Sequence, residues 1–448
     1  MDFGTVPSVV YEGKTYLYLP YLYETESAYR VHHLMEAGPL GSANLAIERF
    51  EKENGFRLAK EQRDAVEKSM KAGMMVITGG PGTGKTTLIR AIITAAEQNG
   101  LEPALMAPTG RAAKRLAISS GRDADTIHKA LEASVRETGR TYFEKNEANP
   151  LGEDLIIVDE ASMLDISLFY HLLCALKDGA RLILVGDIDQ LPPVGAGEPL
   201  KDLMSWGYVP IVRLKRIFRQ EEGSGIVENA ALIRKGEMCV PDEAGEFRII
   251  YAADDEDAYR IVMDLCRELN YGNEENKMLL QVLSPMYRGV CGVDHLNESL
   301  QEMIHGEKVP DGMKFFPGDK VMQTRNDYEK GIYNGDVGTV WTATPQKVFV
   351  RYFDKEVVYE GEERFDLRLA YAVTVHKSQG SEYETVIFIL RPSQHNMLQR
   401  NLLYTGVTRA RKNTILVTAP DALRRALAIQ HTGNRYSLFL PFLNHEAL

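Results

Sequence analysis

Apolar positions along the chain fall into two textures. From residue 56 onward, short continuous apolar runs alternate with segments of helical spacing. Met74-Met75-Val76-Ile77-Thr78 predicts a buried strand, and Leu88, Ile89, Ile92 and Ile93 then recur at the period of a helix that ends at Gly100. Runs at 104–106, 155–158 and 182–185 predict further strands. Strands that alternate with helices imply a parallel sheet with right-handed crossovers. A second set of this kind begins near Arg216, with strands expected at 281–283, 371–373, 386–390 and 414–417. Within it, over residues 305–367, short apolar runs separated by Gly, Asn and Asp predict a small all-β insertion, a barrel.

Two segments depart from both textures. Residues 14–19 alternate polar and apolar side chains, which reads as a strand or hairpin, and a helical pattern follows over 24–36. Tyr16, Tyr18, Tyr21 and Tyr23 read as packing residues of a small N-terminal region spanning 1–55, with base stacking as the alternative. The polar stretch 137–150 interrupts the first α/β set and predicts a projecting hairpin.

Composition narrows the class. A chain of 448 residues is long enough for about three domains. With 44% apolar and 26% charged residues it is neither disordered nor fibrous. No apolar run approaches the ~20 residues of a membrane helix, and the first residues lack the basic-then-apolar order of a secretory signal. Cys174, Cys239, Cys266 and Cys291 form no C-x-x-C pair, so they read as buried small hydrophobes of a cytoplasmic protein. The net charge of −11 disfavours binding of nucleic acid through a basic tail, but a local basic channel stays open.

Chemistry enters at Gly79-Gly80-Pro81-Gly82-Thr83-Gly84-Lys85-Thr86, a complete G-x-x-x-x-G-K-[ST] loop between a predicted strand and a predicted helix. Glycines let backbone N–H groups curl around phosphate, and the helix N-terminus adds partial positive charge. Lys85 is placed to reach the β- and γ-phosphates and Thr86 to ligate Mg²⁺. Asp159 and Glu160 follow the run 155–158, which suits Asp159 to hold Mg²⁺ and Glu160 to polarise the attacking water. These two motifs alone say only P-loop NTPase, with ATP and Mg²⁺ as the expected cofactors.

Further motifs follow in fixed order, and with them the chain resembles superfamily 1 helicases of the RecD-like branch. Gln62 stands where such helicases read adenine. Ala107-Pro108-Thr109-Gly110-Arg111 and Thr126-Ile127-His128 match strand-contacting motifs, and Asp159-Glu160-Ala161-Ser162-Met163 the second ATPase motif. Gly186-Asp187-Ile188-Asp189-Gln190 matches the third, in which the resemblance makes Gln190 a γ-phosphate sensor. Ile217-Phe218-Arg219-Gln220 and Leu403-Tyr404-Thr405-Gly406-Val407-Thr408-Arg409 match the fourth and sixth, making Arg219 and Arg409 arginine fingers. Thr374-Val375-His376-Lys377-Ser378-Gln379-Gly380-Ser381-Glu382 matches the fifth. Finer likeness lies in Ser284-Pro285-Met286, Gly318-Asp319-Lys320-Val321-Met322 and Asn334-Gly335-Asp336.

The resemblance implies two tandem RecA-like domains, 56–215 and 216–304 with 368–448. It also implies an SH3-like barrel over 305–367 and a strand-separating β-hairpin pin at about 132–152. Catalysis would fall to Lys85, Asp159, Glu160, Gln190, Arg219 and Arg409. Nucleotide would meet Gln62, Gly80, Pro81, Gly82, Thr83, Gly84, Lys85, Thr86, Thr87, Gly380 and Glu382. DNA would meet Pro108, Thr109, Gly110, Arg111, Thr126, His128, Pro285, Thr374, His376, Lys377 and Ser378. The implied activity is ATP-driven 5′ to 3′ movement on single-stranded DNA and unwinding of 5′-tailed duplex by a monomer, with repair or recombination proteins as further partners. Longer relatives have a large N-terminal region where this sequence has only about 55 residues, so either a naturally short member of the branch or a trimmed piece of a longer one is expected. An RNA helicase of the same superfamily and a DNA-stimulated ATPase without robust unwinding are the competing readings.

Overall fold

The computed structural model describes residues 7–11, 13–135, 141–216, 224–310, 312–327, 329–353, 355–430 and 435–444. The described residues fall into two compact units. One lies within Met1–Pro108, Ala112–Arg219 and Gly433–Leu448, the other within Thr109–Arg111 and Gln220–Thr432.

The first unit opens with a hairpin of β1 (Ser8–Tyr11) and β2 (Lys14–Leu17). Strands β3 (Met74–Gly79), β4 (Pro103–Ala107) and β5 (Asp125–Thr126) follow, then a second hairpin of β6 (Ala133–Val135) and β7 (Thr141–Phe143). β8 (Leu155–Val158), β9 (Arg181–Gly186) and β10 (Ile211–Leu214) complete a parallel sheet in the order β10-β3-β9-β8-β4-β5. Its central strands β3, β8 and β9 are buried along nearly their whole length because both faces of the sheet are covered. Met74, Val76, Ile156, Val158, Leu182 and Leu184 enter one core with Phe169 and Leu172. Met75, Ile77, Leu155, Ile157, Ile183 and Val185 enter the other with Leu88, Ile89 and Ile92. Each such side chain contributes about 2 kcal/mol when removed from water.

Three sequence expectations change here. The N-terminal helix starts at Tyr18 and runs to Met35, so Tyr18 and Leu19 are helical and not part of the alternating strand. Pro20 lies in its first turn, where the missing N–H costs nothing, whereas in a paired strand it would break a ladder bond. Residues 7–54 do not stand apart: the helix Tyr18–Met35 packs on the helix Ile166–Cys174, and Tyr16, Tyr21 and Tyr23 join the first core together with Tyr11, whereas Tyr18 is exposed and lies outside it. Residues 435–444, expected in the second α/β domain, also belong to this unit; Leu438, Phe439, Phe442 and Leu443 are buried in the same core.

The second unit carries β11 (Phe247–Tyr251) and β12 (Leu280–Ser284), then the inserted strands β13 (Lys320–Gln323), β14 (Val337–Ala343), β15 (Lys347–Arg351), β16 (Glu356–Glu360) and β17 (Leu367–Leu369). β18 (Ala372–Thr374), β19 (Tyr383–Leu390) and β20 (Ala410–Thr418) return to a parallel sheet of order β11-β20-β19-β12-β18. The insertion is antiparallel, in the order β16-β15-β14-β13-β17, with its own core of Val321, Val340, Val348, Val350, Tyr352 and Tyr359. A buried polar network roots it in the parallel sheet. Asp319 accepts from Gln301, from the Tyr371 hydroxyl (2.9 Å) and from Phe316 N (2.7 Å), and His305 Nε2 lies 2.8 Å away. Lys320 Nζ donates to Gln281 Oε1 (2.9 Å) and Leu280 O (3.1 Å). Among the described residues, no helix is long and apolar enough to cross a membrane.

Candidate nucleotide and nucleic-acid sites

Parallel pairing puts the ends of β3, β9 and β8 side by side, so the loops that leave them share one edge of the first sheet. β3 runs into the glycine loop. Gly82 (φ 71°) and Gly84 (φ 81°) occupy the left-handed region, and the helix Lys85–Gln98 then starts with no side-chain cap on its first turn. Uncapped N–H groups at a helix start are natural partners for phosphate. Gly79 is held tight: a Cβ there would stand 2.6 Å from Thr83 Oγ1 and 3.0 Å from Leu214 Cβ. Thr83 closes the loop by donating to Gly80 O (2.8 Å). Lys85 Nζ rests on the loop's own carbonyls, Gly79 O at 2.6 Å and Gly80 O at 3.1 Å.

Asp159 and Glu160 leave β8. Glu160 is buried and adopts φ 52°, ψ 36°, a conformation that costs a non-glycine residue of order 1 kcal/mol and clusters at functional sites. The Asp159 carboxyl is pushed up to about 6 by burial and by Glu160, against the pull of Lys85 and Arg115. β9 ends at Gly186, where a Cβ would meet Ser162 N and Leu200 Cδ2 at 2.9 Å. Asp187 then organises a turn, accepting from Asp189 N on its carboxylate and from Gln190 N on its carbonyl, both at 3.2 Å, and Gln190 is buried. The uncapped helix start, Lys85, the Thr86 hydroxyl and the Asp159 carboxylate together fit a magnesium–nucleotide: N–H groups and a cation for phosphate, hard oxygens for the metal. Gln62 is buried beside the loop. Its Oε1 accepts from Ala59 N (3.0 Å) and its Nε2 faces Gly84 O (3.4 Å), so half of its amide is already engaged.

The other expected residues are placed as follows. Pro108, just after β4, groups with the first unit, whereas Thr109 and the first two residues of the helix Gly110–Ser120 group with the second. There Gly110 packs on the Tyr333 ring and Arg111 donates to the Tyr383 hydroxyl (3.1 Å). Thr126 is buried and its hydroxyl caps the short helix Ile127–Ala130 by accepting from Lys129 N (3.1 Å). His128 lies on Phe143 of the β6–β7 hairpin, at 5.8 Å between rings, and burial lowers its pKa. That hairpin pairs Ala133–Val135 with Thr141–Phe143, so only its second strand falls within 137–150. Residues 136–140 and 217–223, and with the latter Arg219, lie outside the described residues.

In the second unit, Thr374 ends β18 and its hydroxyl accepts from Lys377 N (3.3 Å). Ser378 is spent on Val375 O (2.7 Å), and burial lowers the pKa of His376. Gly380 turns at φ 71°, and Glu382 pairs with Arg411 (2.9 Å). Arg409 is buried, with Nε on Thr405 O (3.2 Å) and Nη1 on Ser381 O (3.1 Å). Thr374 and Lys377 line a cleft of about 760 Å³ together with Tyr287, Thr324, Phe365 and Arg368.

Residues 62–196 match an AAA domain model, 369–417 a UvrD-like helicase C-terminal domain, and 296–352 the SH3 domain of ATP-dependent RecD-like DNA helicases. The RecBCD enzyme subunit RecD of Mycolicibacterium smegmatis is 34% identical over 421 residues, which cover 85% of this chain and 75% of that protein. The chain belongs to the RecD-like helicase family. The ATP-dependent RecD2 DNA helicase of Deinococcus radiodurans is 36% identical over 95% of this chain, which spans 58% of that relative's length. Solved Pif1 helicases share the fold at low identity. The Candida albicans enzyme has a TM-score of 0.53 at 20% identity, covering 84% of this chain and 97% of that one. A Bacteroides Pif1 bound to single-stranded DNA has 0.51 at 20%, covering 80% and 92%.

Membership in the RecD-like family gives the ordered motifs their setting, but several residues at the sites had no motif to announce them. Tyr287, Phe365 and Arg368 line the cleft around Thr374; Tyr287 and Phe365 are exposed, and the Arg368 guanidinium lies 5.8 Å from the Tyr287 ring centre. Tyr287 follows Ser284-Pro285-Met286 directly, so that motif carried a usable signal. Arg115, which faces Asp159, stands four residues past Arg111 on the same helix, one turn on from a residue already singled out.

Proposed function

We propose that this chain is an ATP-driven DNA helicase that moves 5′ to 3′ on single-stranded DNA. The observation that carries the reading is the convergence of Lys85, Asp159, Glu160 and Gln190 at one edge of a single parallel sheet, in a chain of the RecD-like family. Lys85 exchanges the Gly79 and Gly80 carbonyls for the β- and γ-phosphates of ATP. The first-turn N–H groups bind the same phosphates, with Thr86 and Asp159 as the oxygen donors for Mg²⁺. A bound Mg²⁺ supplies charge neutralisation between the phosphates. Glu160 orients and deprotonates the attacking water, Gln190 reads the γ-phosphate, and Arg409 and Arg219 supply guanidinium charge to the transferred phosphoryl.

DNA takes the cleft of Thr374 and Lys377. Tyr287 and Phe365 offer faces to bases and Arg368 a cation to the backbone, which suits a polymer held without sequence preference. The β6–β7 hairpin, anchored through Phe143, serves as the strand-separating pin. The test is steady-state ATP turnover alone, with single-stranded DNA, and with single-stranded RNA. Stimulation of about tenfold or more by DNA and little by RNA is expected. Equal stimulation by RNA would favour the RNA helicase instead.

A further inference from the structure

The turn that holds Gln190 continues through Pro192 and Pro193 and crosses Gly195 and Gly197 to reach the helix Pro199–Trp206. One side of this loop lies flat on the start of the helix Ile166–Cys174. Ile166 N donates to Ala196 O (2.9 Å), a Cβ on Gly195 would stand 2.1 Å from Asp165 Oδ2, and Gly197 combines φ +77° with Ile166 Cβ at 3.0 Å. Three of the loop's carbonyls meet one side chain. Arg435 donates from Nη1 to Gly195 O (2.5 Å) and Gly197 O (3.2 Å) and from Nη2 to Pro193 O (2.6 Å), and its Nε pairs with Glu198 (3.6 Å). Only a planar guanidinium can reach three carbonyls and a carboxylate from one point.

The segment that brings Arg435 is anchored without its help. Phe439 packs on Phe169 at 5.8 Å, Phe442 on Tyr11 at 5.3 Å and Tyr21 at 5.7 Å, and Leu438 N donates to Glu24 Oε2 (2.8 Å). A fixed base therefore presents Arg435 to a loop whose other end, three residues before Pro193, is Gln190. Were Arg435 needed only to hold its own segment, the apolar anchor would already suffice, and the fan of bonds to a loop at the nucleotide edge would have no purpose.

We propose that Arg435 is a positioning residue for ATP hydrolysis: it braces the 191–198 loop so that Gln190 stands ready for the γ-phosphate. The proposal rests on the reading of Gln190 as the phosphate sensor. The brace acts on the chemical step and not on nucleotide capture, because the phosphate loop itself is untouched.

The experiment uses the full chain with saturating single-stranded DNA. Turnover is expressed per folded enzyme, counted by stoichiometric binding of a fluorescent ADP analogue. Arg435→Ala is expected to lower kcat about tenfold while the KM for ATP and the affinity for the ADP analogue stay within about twofold. Arg435→Lys, which keeps the pair with Glu198 but not the fan, recovers part of the loss. In a Gln190→Ala background the same Arg435→Ala change costs less than about twofold, because the braced group is already gone. If Arg435→Ala does not fold, Arg435→Gln carries the same cycle. A kcat within about twofold of wild type, or an equal loss in both backgrounds, overturns the brace while leaving Gln190 its role. Wild-type turnover by Gln190→Ala removes the sensor reading itself, and the brace with it.

Discussion

The phosphate loop of the first unit and the root of the barrel in the second each hold one lysine on uncharged carbonyl oxygens, and they hold it for opposite purposes. Lys85 is partly exposed and rests on two glycine carbonyls of a loop that exists to be filled. Lys320 is 1% exposed, and burial drives its pKa far down. Its neighbour Asp319 is committed to Gln301, Tyr371 and Phe316 N, so Lys320 is held by Leu280 O and Gln281 Oε1 instead. Both lysines sit in segments that resemble the family's. Access to solvent, not residue type or motif membership, separates a group that acts on a ligand from one that fixes a fold.

Substitution of the two lysines turns the contrast into a measurement. Lys85→Ala should lower ATP turnover by about a thousandfold or more, because it removes the cation aimed at phosphate. Its thermal unfolding midpoint should stay within about 2 °C, since no core contact is lost. Arg409→Ala comes next, with a fall in kcat of about a hundredfold to a thousandfold and a much smaller change in nucleotide affinity. A kcat within about threefold of wild type would show that the bonds to Thr405 and Ser381 are the whole of its role. Lys320→Ala should do the reverse of Lys85→Ala. Leaving Leu280 O and Gln281 Oε1 buried without a donor costs about 3 kcal/mol in denaturant melts, with turnover per folded enzyme unchanged. If Lys85→Ala unfolds the protein, or Lys320→Ala is stable but inactive, the contrast fails.

The sequence was most legible where chemistry dictates residue identity. Phosphate binding demands Gly82, Gly84, Lys85 and Thr86 at fixed spacing, and a sheet covered on both faces demands unbroken runs such as Leu155–Val158. It was least legible where tertiary contact decides. The tyrosine alternation masked a helix start at Tyr18, because period-two spacing and an early helical turn look alike over six residues. The run Leu438-Phe439-Leu440-Pro441-Phe442-Leu443 has no periodicity that could say which unit it joins. Arg435 carries no local mark at all, since its partners lie some 240 residues away in sequence and are backbone carbonyls of the loop after Gln190. The motifs of Thr126 and Arg111 likewise gave no sign that the one caps a helix and the other donates to the Tyr383 hydroxyl.

The smallest expected effect sharpens the rule with a carboxylate. Asp202 is half-buried near Ser437 and pushed up to about 7 by burial, then by Glu198 and Glu24. Its folded pKa is raised, so between the ordinary carboxyl range and about 7 the folded state binds more protons than the unfolded. Its contribution to stability is therefore complete at low pH and is lost as pH rises through that window. Asp202→Asn has no proton to lose. Its stability relative to wild type should rise by about 1–2 kcal/mol between about pH 5 and about pH 8, after discounting for partial solvent access. A pH-independent difference would show that Asp202 reaches water freely.

Directional, ATP-driven motion on single-stranded DNA is read out by a strand-displacement assay. Two partial duplexes of identical sequence, one with a 5′ single-stranded tail and one with a 3′ tail, are offered with ATP and Mg²⁺. Unwinding of the 5′-tailed duplex alone, lost on Lys85→Ala, is the predicted result. Unwinding of the 3′-tailed duplex, or brisk DNA-stimulated hydrolysis with neither duplex opened, would contradict it.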